Sequence, residues 1–469
     1  MTSLKAEQRQ RWLTFTATGF SALGTVSILS MVNASLPTLV EYFDTDVLTI
    51  QWMVLGYSLT MAGLLLGFGR LADVVGRKRV YLLGFVLFAT GSLLCGLAAN
   101  LPMLLLCRVV QASGASALVA NTLPIVVGIF PAQERGRALG YNSVVVSLAS
   151  LLAPTLTGFL IGTWSWRGVF LFQIPVVLTG MALTLRFVPD VPAEPGQSFD
   201  LVGAVAFALT VVPLTAVLNQ GSRLGWSSPL VLLLAAVGLG SGALFVVRSG
   251  RISQPLIDLR LLRIRMFAFS NLCTFVSNLD WASLGFLLPF LLQRVLGYSP
   301  VQMGLLLIAQ PAVQIVTSPI AGWMADRWGC RVPATLGYAL QALTVFWLSA
   351  TTPGTSTALV ILKLGLAGVG FGLSATPNSA AVLGSVPKER GGAASGLMAT
   401  MRHVGMVTGV AVIGTLFATR SAYHAALLGS ANPADGYTAG FRDAARLLAT
   451  VDAAGILLSW ARGRQTGAS

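Results

Sequence analysis

Gly69-Arg-Leu-Ala-Asp73-Val-Val-Gly76-Arg77-Lys78-Arg79 is a short charged segment between two long apolar runs. A second copy of the pattern in the other half of the chain reads Gly322-Trp-Met-Ala-Asp326-Arg327-Trp-Gly329-Cys330-Arg331. The two glycines and the aspartate recur at a constant offset of 253 residues. A duplicated tight turn between apolar helices predicts two structural repeats in one membrane protein. That architecture is more typical of transporters than of enzymes.

The composition is that of a protein that crosses a membrane many times. Of the 469 residues, 55% are hydrophobic and only 10% are charged, whereas a soluble domain carries about 25% charged residues. Uncharged stretches of the length that a bilayer requires, about 20 residues, recur along most of the chain. The net charge is +14, and the cations lie in short connections between apolar runs. We therefore expect an all-α polytopic membrane protein without a nucleic-acid partner.

The apolar runs predict fourteen transmembrane helices. The first six cover residues 12–36, 47–69, 80–99, 101–126, 138–163 and 168–187. Spans 7 and 8 cover 201–219 and 228–247, and the remaining spans cover 267–291, 300–324, 332–351, 355–382, 393–418 and 441–460. The last span contains Arg442, Asp443, Arg446 and Asp452. An amphipathic helix on the membrane surface is therefore the alternative there.

Further matches extend the internal repeat. Glu134-Arg135-Gly136 recurs as Glu389-Arg390-Gly391 at an offset of 255 residues, and the same offset relates Arg108 to Lys363. We predict two pseudo-symmetric six-helix bundles, residues 1–187 and 266–469. The two inserted helices lie in residues 188–265 with their linkers.

Positive charges lie mostly on one side of the predicted topology. With a cytoplasmic N-terminus, the outer connections hold only Arg167, Arg223, Arg294 and Arg420. The positive-inside rule then places both termini in the cytoplasm. We expect a monomeric, multi-pass protein of the inner (plasma) membrane, in contact with the lipid bilayer.

Several segments form an ordered set along the chain. Besides the paired turns, they are Arg108-Val-Val-Gln111-Ala-Ser-Gly114, Trp166-Arg167-Gly-Val-Phe170-Leu-Phe-Gln-Ile-Pro175, Phe199-Asp200-Leu-Val-Gly203, Pro255-Leu-Ile-Asp258-Leu-Arg260-Leu-Leu-Arg263 and Ala394-Ser-Gly396-Leu-Met-Ala-Thr-Met-Arg402. In this order they resemble the major facilitator superfamily, and specifically its fourteen-helix drug:proton antiporter branch. The resemblance implies alternating access, with spans 1, 4, 9 and 12 lining a central cavity.

Two positions depart from the pattern of that branch. The fifth-helix motif, which normally reads Gly-Pro followed by Gly-Gly, is here Ala153-Pro154-Thr-Leu-Thr157-Gly158. Pro154 and Gly158 keep a proline bend and a small residue. Ile28 occupies the position, five residues before Asn33, at which family members usually carry an aspartate. Span 1 contains no acid, so a proton-coupling carboxylate has to lie elsewhere.

Asp280 is the main candidate for that carboxylate. Among the acids of the sequence, only Asp280 lies deep in one of the first thirteen predicted spans. A carboxylate there is unfavourable unless it is protonated, paired or hydrated, so we predict a proton-coupling or cation site. The alternative is an ion pair that holds two helices together. Arg108 and Lys363 are the candidate partners, and their alternatives are an anchor to backbone carbonyls and a lysine that extends outward to the membrane surface.

Other residues are candidates for substrate contact or gating. Polar and aromatic residues on cavity-side spans are Asn33, Trp52, Tyr57, Asn121, Asn278, Trp281, Gln310, Gln314 and Asn378. The turn residues Gly69, Asp73, Gly76, Arg77, Gly322, Asp326, Gly329 and Arg331 are predicted to stabilise one state of the transport cycle. For Arg402 and His403 of span 13, the sequence allows either a functional role or a packing role.

The expected function is secondary active export of hydrophobic or amphipathic drugs or metabolites. The partners are then a small-molecule substrate, which leaves the cell, and protons, which enter in exchange. Three cations within the spans (Arg108, Lys363, Arg402) against one acid favour an alternative. This is an exporter or facilitator of an anionic or zwitterionic metabolite without proton coupling. A lipid-modifying enzyme or a sensor is a third class, but no nucleophile–base pair or phosphate loop is visible. We expect no enzyme activity, no cofactor and no metal.

Overall fold

The computed structural model describes residues 2–130, 134–190, 200–252, 259–387, 391–428 and 433–463, and these are helical with short connections. The first α-helices are α1 Thr2–Tyr42, α2 Val47–Ile50, α3 Trp52–Val75, α4 Arg77–Gly96, α5 Leu101–Ile129, α6 Arg135–Thr163, α7 Arg167–Leu171, α8 Gln173–Phe187, α9 Leu201–Leu224 and α10 Pro229–Arg251. The others are α11 Arg265–Phe290, α12 Pro300–Leu307, α13 Ala309–Trp328, α14 Arg331–Leu348, α15 Thr357–Gly384, α16 Gly391–Gly409, α17 Thr415–Leu428 and α18 Pro433–Ala461. A 3₁₀ turn covers Leu259–Arg263, and π-helical turns cover Leu291–Val295 and Val410–Gly414.

Within the described residues, thirteen helical segments are long and apolar enough to cross a membrane. They correspond to thirteen of the predicted spans. The remaining span, 332–351, forms the 18-residue helix α14, which is not among them. The predicted last span, for which a surface helix was the alternative, is part of the 29-residue helix α18. This helix begins eight residues earlier than predicted and is among the thirteen. The chain is therefore an all-helical, multi-pass membrane protein.

The helices form two compact units. Unit 1 contains residues Met1–Ser35 and Trp52–Ala208, and unit 2 contains Leu36–Gln51 and Leu209–Ser469. Helix α1 starts in unit 1 and ends in unit 2. Its C-terminal end is held there by Arg294, which donates to the carbonyl of Pro37 at 3.0 Å and pairs with Glu41 at 3.1 Å.

Glycines bring helices of each unit into backbone contact. In unit 1, a Cβ on Gly114 of α5 would lie 2.3 Å from the backbone nitrogen of Phe88 in α4. In unit 2, a Cβ on Gly409 of α16 would lie 2.4 Å from the carbonyl oxygen of Leu279 in α11. Close approach of this kind is how spanning helices associate where lipid removes the hydrophobic driving force. It fixes the position of α5, which carries Arg108, and of α11, which carries Asp280.

Polar capping residues determine where some helices begin, which the apolar pattern alone does not define. The side chain of Asn100 accepts from the backbone N–H of Met103 at 2.9 Å at the start of α5. Ser299 and Gln302 form a reciprocal capping box at the start of α12. Each cap satisfies backbone donors that the first helical turn leaves free.

Candidate functional site

Asp280 lies at the centre of its span. It is 15 residues after Arg265 and 15 before Val295, the two ends of the segment that could cross the membrane. The residue is only 2% exposed. Gln341 of α14 donates from Nε2 to Oδ2 of Asp280 at 3.1 Å, and the hydroxyl of Ser374 in α15 lies 3.2 Å from Oε1 of the same glutamine. A chain of hydrogen bonds thus connects α15, α14 and α11 at this carboxyl group.

Asp452 of α18 completes the arrangement, and sequence reasoning missed it. The residue is fully buried, its carboxyl group lies next to that of Asp280, and neither of its oxygens has a hydrogen-bond partner among the described residues. The signal was present in the spacing of Asp452, Gly455 and Ser459, which places polar and small residues on one face of a helix. The four charged residues of this segment obscured that face, because Arg442 and Arg446 made the segment resemble a surface helix.

Lys363 does not reach Asp280, so the predicted ion pair is absent from this structure. Its Nζ donates to the carbonyl oxygen of Trp347 and to the hydroxyl of Thr351, both at 3.0 Å. The lysine therefore caps the C-terminal end of α14, where a cation satisfies free carbonyls and the helix dipole. The reason is its position: Lys363 is near the start of α15, whereas Asp280 is at mid-span.

Arg108 of α5 is completely buried within unit 1. Its Nε and Nη2 donate to the carbonyl oxygen of Met53 at 3.3 and 3.2 Å, and Nη1 donates to Oε1 of Gln111 at 2.6 Å. The guanidinium carbon lies 4.1 Å from the ring centroid of Tyr57. No described acid of unit 1 forms an ion pair with it. The positive charge is therefore held by neutral acceptors and an aromatic face.

The candidate substrate residues of unit 1 include several free polar atoms. Oδ1 of Asn33, the hydroxyl of Tyr57 and Oδ1 of Asn121 are buried and make no hydrogen bond within the described part of the chain. The amide nitrogen of Asn121 is used locally, because it donates to the carbonyl of Ala117 at 2.8 Å. Trp52 is half-buried at the start of α3. These atoms are available to a polar ligand group.

Unit 2 holds the other candidates. Trp281, Gln310 and Gln314 are half-buried, and the half-buried Asn278 donates to the carbonyl of its own helix at Thr274, at 2.8 Å. Asn378 differs, because its amide is fully used.

The amide of Asn378 joins three elements of unit 2. Its Nδ2 donates to the carbonyl of Ser270 and to the hydroxyl of Thr274 in α11, both at 2.9 Å. Its Oδ1 accepts from Nη1 of Arg462, just after α18, at 3.1 Å. The contacts are those of a residue that holds α11, α15 and the end of α18 together.

Arg402 and His403 are adjacent on α16 but differ in exposure. Arg402 is exposed, and it makes no hydrogen bond or ion pair with another described residue; His403 is half-buried. The guanidinium of Arg402 is therefore free to contact a ligand or water.

The first turn motif forms a compact cluster of charges. Asp73 pairs with Arg77 at 2.6 Å and with Arg70 at 3.7 Å, so Arg77 is used within its own motif. Gly76 adopts φ 106° between α3 and α4. A positive φ at this point is the reason that the motif requires glycine. Gly69 packs against α5, with 3.8 Å between its Cβ position and Cβ of Ala120.

The second turn motif keeps the backbone of the first but not its ion pairs. Gly329 has φ 77°, and Gly322 packs against α15 at 3.8 Å from Thr376. Asp326 is exposed and forms no ion pair among the described residues. The guanidinium of Arg331 instead stacks over the ring of Trp460 at 3.6 Å. The repeat is therefore conserved between the halves as a turn rather than as a charge cluster.

We predict that Gly76→Ala and Gly329→Ala each destabilise the folded protein by about 1–2 kcal/mol, because a Cβ disfavours a positive φ. Thermal unfolding of the purified protein in detergent measures the effect. Gly128→Ala is the matched control, since Gly128 lies inside α5 with no atom near its Cβ position. Unchanged melting temperatures for both turn variants would contradict this explanation of the motif.

The fifth-helix motif lies inside α6. Pro154 and Gly158 are buried, and the hydroxyl of Thr157 donates to the carbonyl of Ala153 at 2.8 Å and approaches that of Met31 at 3.4 Å. The threonine thus connects α6 with α1 where the family pattern has a glycine. Residues 131–133, Phe199, Pro255 to Asp258 and the Glu389-Arg390 pair lie outside the described residues.

The chain is similar to known proteins along most of its length. The profile of the Major Facilitator Superfamily matches residues 16–270 and 271–431. Multidrug resistance protein Stp of Mycobacterium tuberculosis (strain CDC 1551 / Oshkosh) is 35% identical over 418 residues, which cover 87% of this chain and 76% of Stp. Riboflavin transporter RibZ of Clostridioides difficile (strain 630) is 30% identical over 421 residues, or 89% of this chain and 90% of RibZ.

A solved structure shows the same fold. It is the crystal structure of a bacterial homolog of the human lysosomal transporter Spinster, which matches with a TM-score of 0.71 over 97% of both chains. The sequence identity is 15%, so this likeness concerns the fold alone.

Proposed function

Because this chain belongs to the Major Facilitator Superfamily, a family of transporters rather than enzymes, we propose that it exports hydrophobic and amphipathic compounds in exchange for protons. The export is secondary active transport by alternating access. Relatives at this level of identity carry names of multidrug resistance proteins, which supports a drug or metabolite as cargo.

The observation that carries the proton coupling is the burial of Asp280 at mid-span. A carboxylate in an apolar span is unfavourable by several kcal/mol unless it is protonated or paired with a cation. The guanidinium of Arg108 is occupied by Met53 and Gln111, and Lys363 is occupied at the end of α14. Within unit 2, no described cation forms an ion pair with Asp280. Protonation neutralises a buried carboxylate without a cation, and a proton can be exchanged during the cycle.

We further propose that the chain crosses the plasma membrane fourteen times and that both termini lie in the cytoplasm. Helix α14 has 18 residues, or about 27 Å at 1.5 Å per residue, close to the roughly 30 Å of a hydrocarbon core. One end carries the stack of Arg331 on Trp460, and the other carries Lys363. Cationic and aromatic residues at both ends are typical of a helix that crosses a membrane.

Matching hydroxyl contacts support two repeated bundles of six helices. In unit 1, Ser21 of α1 is hydrogen-bonded to the hydroxyl of Tyr81 in α4. In unit 2, Ser277 of α11 lies 2.7 Å from the hydroxyl of Tyr338 in α14. The two serines differ by 256 residues and the two tyrosines by 257, close to the offset of 253 residues between the turn motifs. Helices α9 and α10 are then the inserted pair.

A second candidate is transport of an anionic or zwitterionic metabolite without proton coupling. Arg108 is buried without a carboxylate, and Arg402 is exposed without a partner in the described part of unit 2. A named riboflavin transporter among the relatives supports a metabolite as cargo. The burial of Asp452 weakens this candidate, because the spans then hold two buried acids rather than one.

Efflux from cells that lack their own drug exporters tests the two candidates. We expect expression of the chain to lower the accumulation of a permanently charged lipophilic cation, and an uncoupler to restore it. Cells with empty vector are the control. If only organic anions are exported, and the uncoupler has no effect, the second candidate replaces the first.

A further inference from the structure

The last helix places an acid opposite the hydrogen-bonding partner of Asp280. Two contacts set an antiparallel register between α14 and α18. The hydroxyls of Thr335 and Ser459 lie 2.9 Å apart, and the ring of Tyr338 packs on Gly455, where a Cβ would lie 2.6 Å from it. One turn further along both helices, the same register sets Gln341 opposite Asp452. The small residue at Gly455 therefore lets α18 approach closely enough to bring Asp452 to Asp280.

Apart from the hydrogen bond that Gln341 donates to Asp280, the two carboxyl groups have no hydrogen-bond partner among the described residues. The unpartnered atoms are Oδ1 of Asp280 and both oxygens of Asp452, and all three are buried. An ionised carboxylate can only accept hydrogen bonds, so a proton on one of the two groups would let them bind each other. Two buried carboxylates in contact would also repel each other. Burial and the lack of partners therefore favour one shared proton, as in other pairs of adjacent buried acids.

The nearest titratable and charged groups of unit 2 are engaged elsewhere. The hydroxyl of Tyr338 donates to the carbonyl of Cys273 at 2.6 Å. Arg462 donates to Oδ1 of Asn378 at 3.1 Å and to the carbonyl of Cys330. Cys273 is buried as a free thiol. None of these groups neutralises the acidic pair.

The helices packed around α11 and α18 bring no cation to the pair either. Asp443 binds the charged groups of α17, at 3.0 Å from His424 and 3.8 Å from Arg420. Lys363 of α15 is occupied at the end of α14. Arg331 of α14 stacks over Trp460. Several other charged groups of these and neighbouring elements form no described ion pair with either acid: Arg265, Arg294, Arg402, His403, Arg442 and Arg446.

We propose that Asp280 and Asp452 bind and release the transported proton as one unit, a carboxyl pair between α11 and α18. The inference rests on the proposed proton-coupled export and adds a second acid to it. Release of the shared proton would leave two adjacent anions, and their repulsion would separate α11 from α18 or admit water between them. The proton would thus be linked to a packing change inside unit 2. A sodium ion fits the site less well, because Gln341 presents its N–H group rather than an oxygen to Asp280.

The test compares Asp452→Asn with Asp280→Asn in purified protein. Substrate is added in weakly buffered detergent solution, and a pH indicator records the protons released. We expect release from wild type and none from either variant. Substrate exchange at equal pH on both sides of a vesicle should persist in both, which shows that they fold. Asp443→Asn is the matched control, because Asp443 is an acid of the same helix α18 that lies outside the pair. This variant should release protons like wild type.

Three results would overturn the proposal. In the first, Asp452→Asn releases protons like wild type and keeps uncoupler-sensitive efflux, whereas Asp280→Asn loses both. Asp280 would then act as a single acid, and the proposed function would stand. No proton release and uncoupler-insensitive efflux in wild type would remove both the pair and the proposed function. Efflux that requires sodium rather than a pH gradient would replace the proton by a cation.

A measurement on wild type keeps the test valid if Asp452→Asn does not fold. Infrared difference spectra between acid and alkaline samples should show a carboxylic acid C=O band that disappears on deprotonation. The band should be altered in Asp452→Glu, which keeps an acid but moves it by one methylene. A spectrum of Asp452→Glu identical to that of wild type would contradict a shared proton.

Discussion

Asp280→Asn will reduce proton-driven efflux by about tenfold or more, the effect of removing at least 1.4 kcal/mol of coupling. Asparagine keeps the volume of aspartate and can still accept the hydrogen bond of Gln341, but it cannot release a proton. Initial efflux rates in vesicles at several imposed pH gradients measure the loss. The wild-type rate should rise with the gradient, and the variant rate should not.

Exchange of labelled for unlabelled substrate, at equal pH on both sides, is the control for Asp280→Asn. We expect this exchange to continue at a rate close to that of wild type, because substrate binding and alternating access do not need net proton movement. Loss of exchange together with efflux would instead assign Asp280 a role in holding the helices together. Efflux that still follows the pH gradient would remove Asp280 from the coupling scheme.

Arg108→Lys will also reduce transport by about tenfold or more, although it keeps the positive charge. The guanidinium contacts the carbonyl of Met53 through two nitrogens, reaches Gln111 with a third and lies over Tyr57. A lysine ammonium is a single point of charge that cannot make these contacts at once. The same efflux and exchange assays measure the effect, and we expect both activities to fall.

Arg186→Lys is the matched control for Arg108→Lys, because Arg186 is an exposed arginine at the end of α8 in the same unit. It should transport at the wild-type rate. Thermal unfolding separates a loss of function from a loss of fold. If Arg108→Lys transports normally, the bidentate geometry at Met53 is unimportant and only the charge matters.

Most of the fold could be predicted from the sequence, because a bilayer imposes simple rules on apolar length and charge. Thirteen spans were found from apolar runs alone. The difficult cases were α14 and α18, which pack against each other through polar residues such as Thr335 and Ser459. A helix buried by its neighbours can carry more polar groups than one that faces lipid. Local hydropathy therefore underestimates such helices.

The candidate site was only partly predictable. Asp280 stood out because it interrupts an otherwise apolar run, and the structure places it at mid-span. The partner of Asp280 could not be predicted. The repeat suggested Lys363, the residue equivalent to Arg108, but Lys363 lies near the end of its span and Asp280 lies in the middle of its own. Asp452 comes to Asp280 through the register of α14 and α18. That register depends on the close contact at Gly455, which sequence spacing alone does not reveal.

Proton movement during export tests the central claim most directly. Vesicles containing the purified protein are loaded with a permanently charged cationic substrate and an internal pH dye, with equal pH inside and outside. A permanently charged substrate carries no proton itself, so any change in internal pH comes from the transporter. As the substrate leaves wild-type vesicles, we predict that the interior acidifies, and that Asp280→Asn abolishes the acidification. Substrate efflux from wild-type vesicles without acidification would contradict proton-coupled export by this protein.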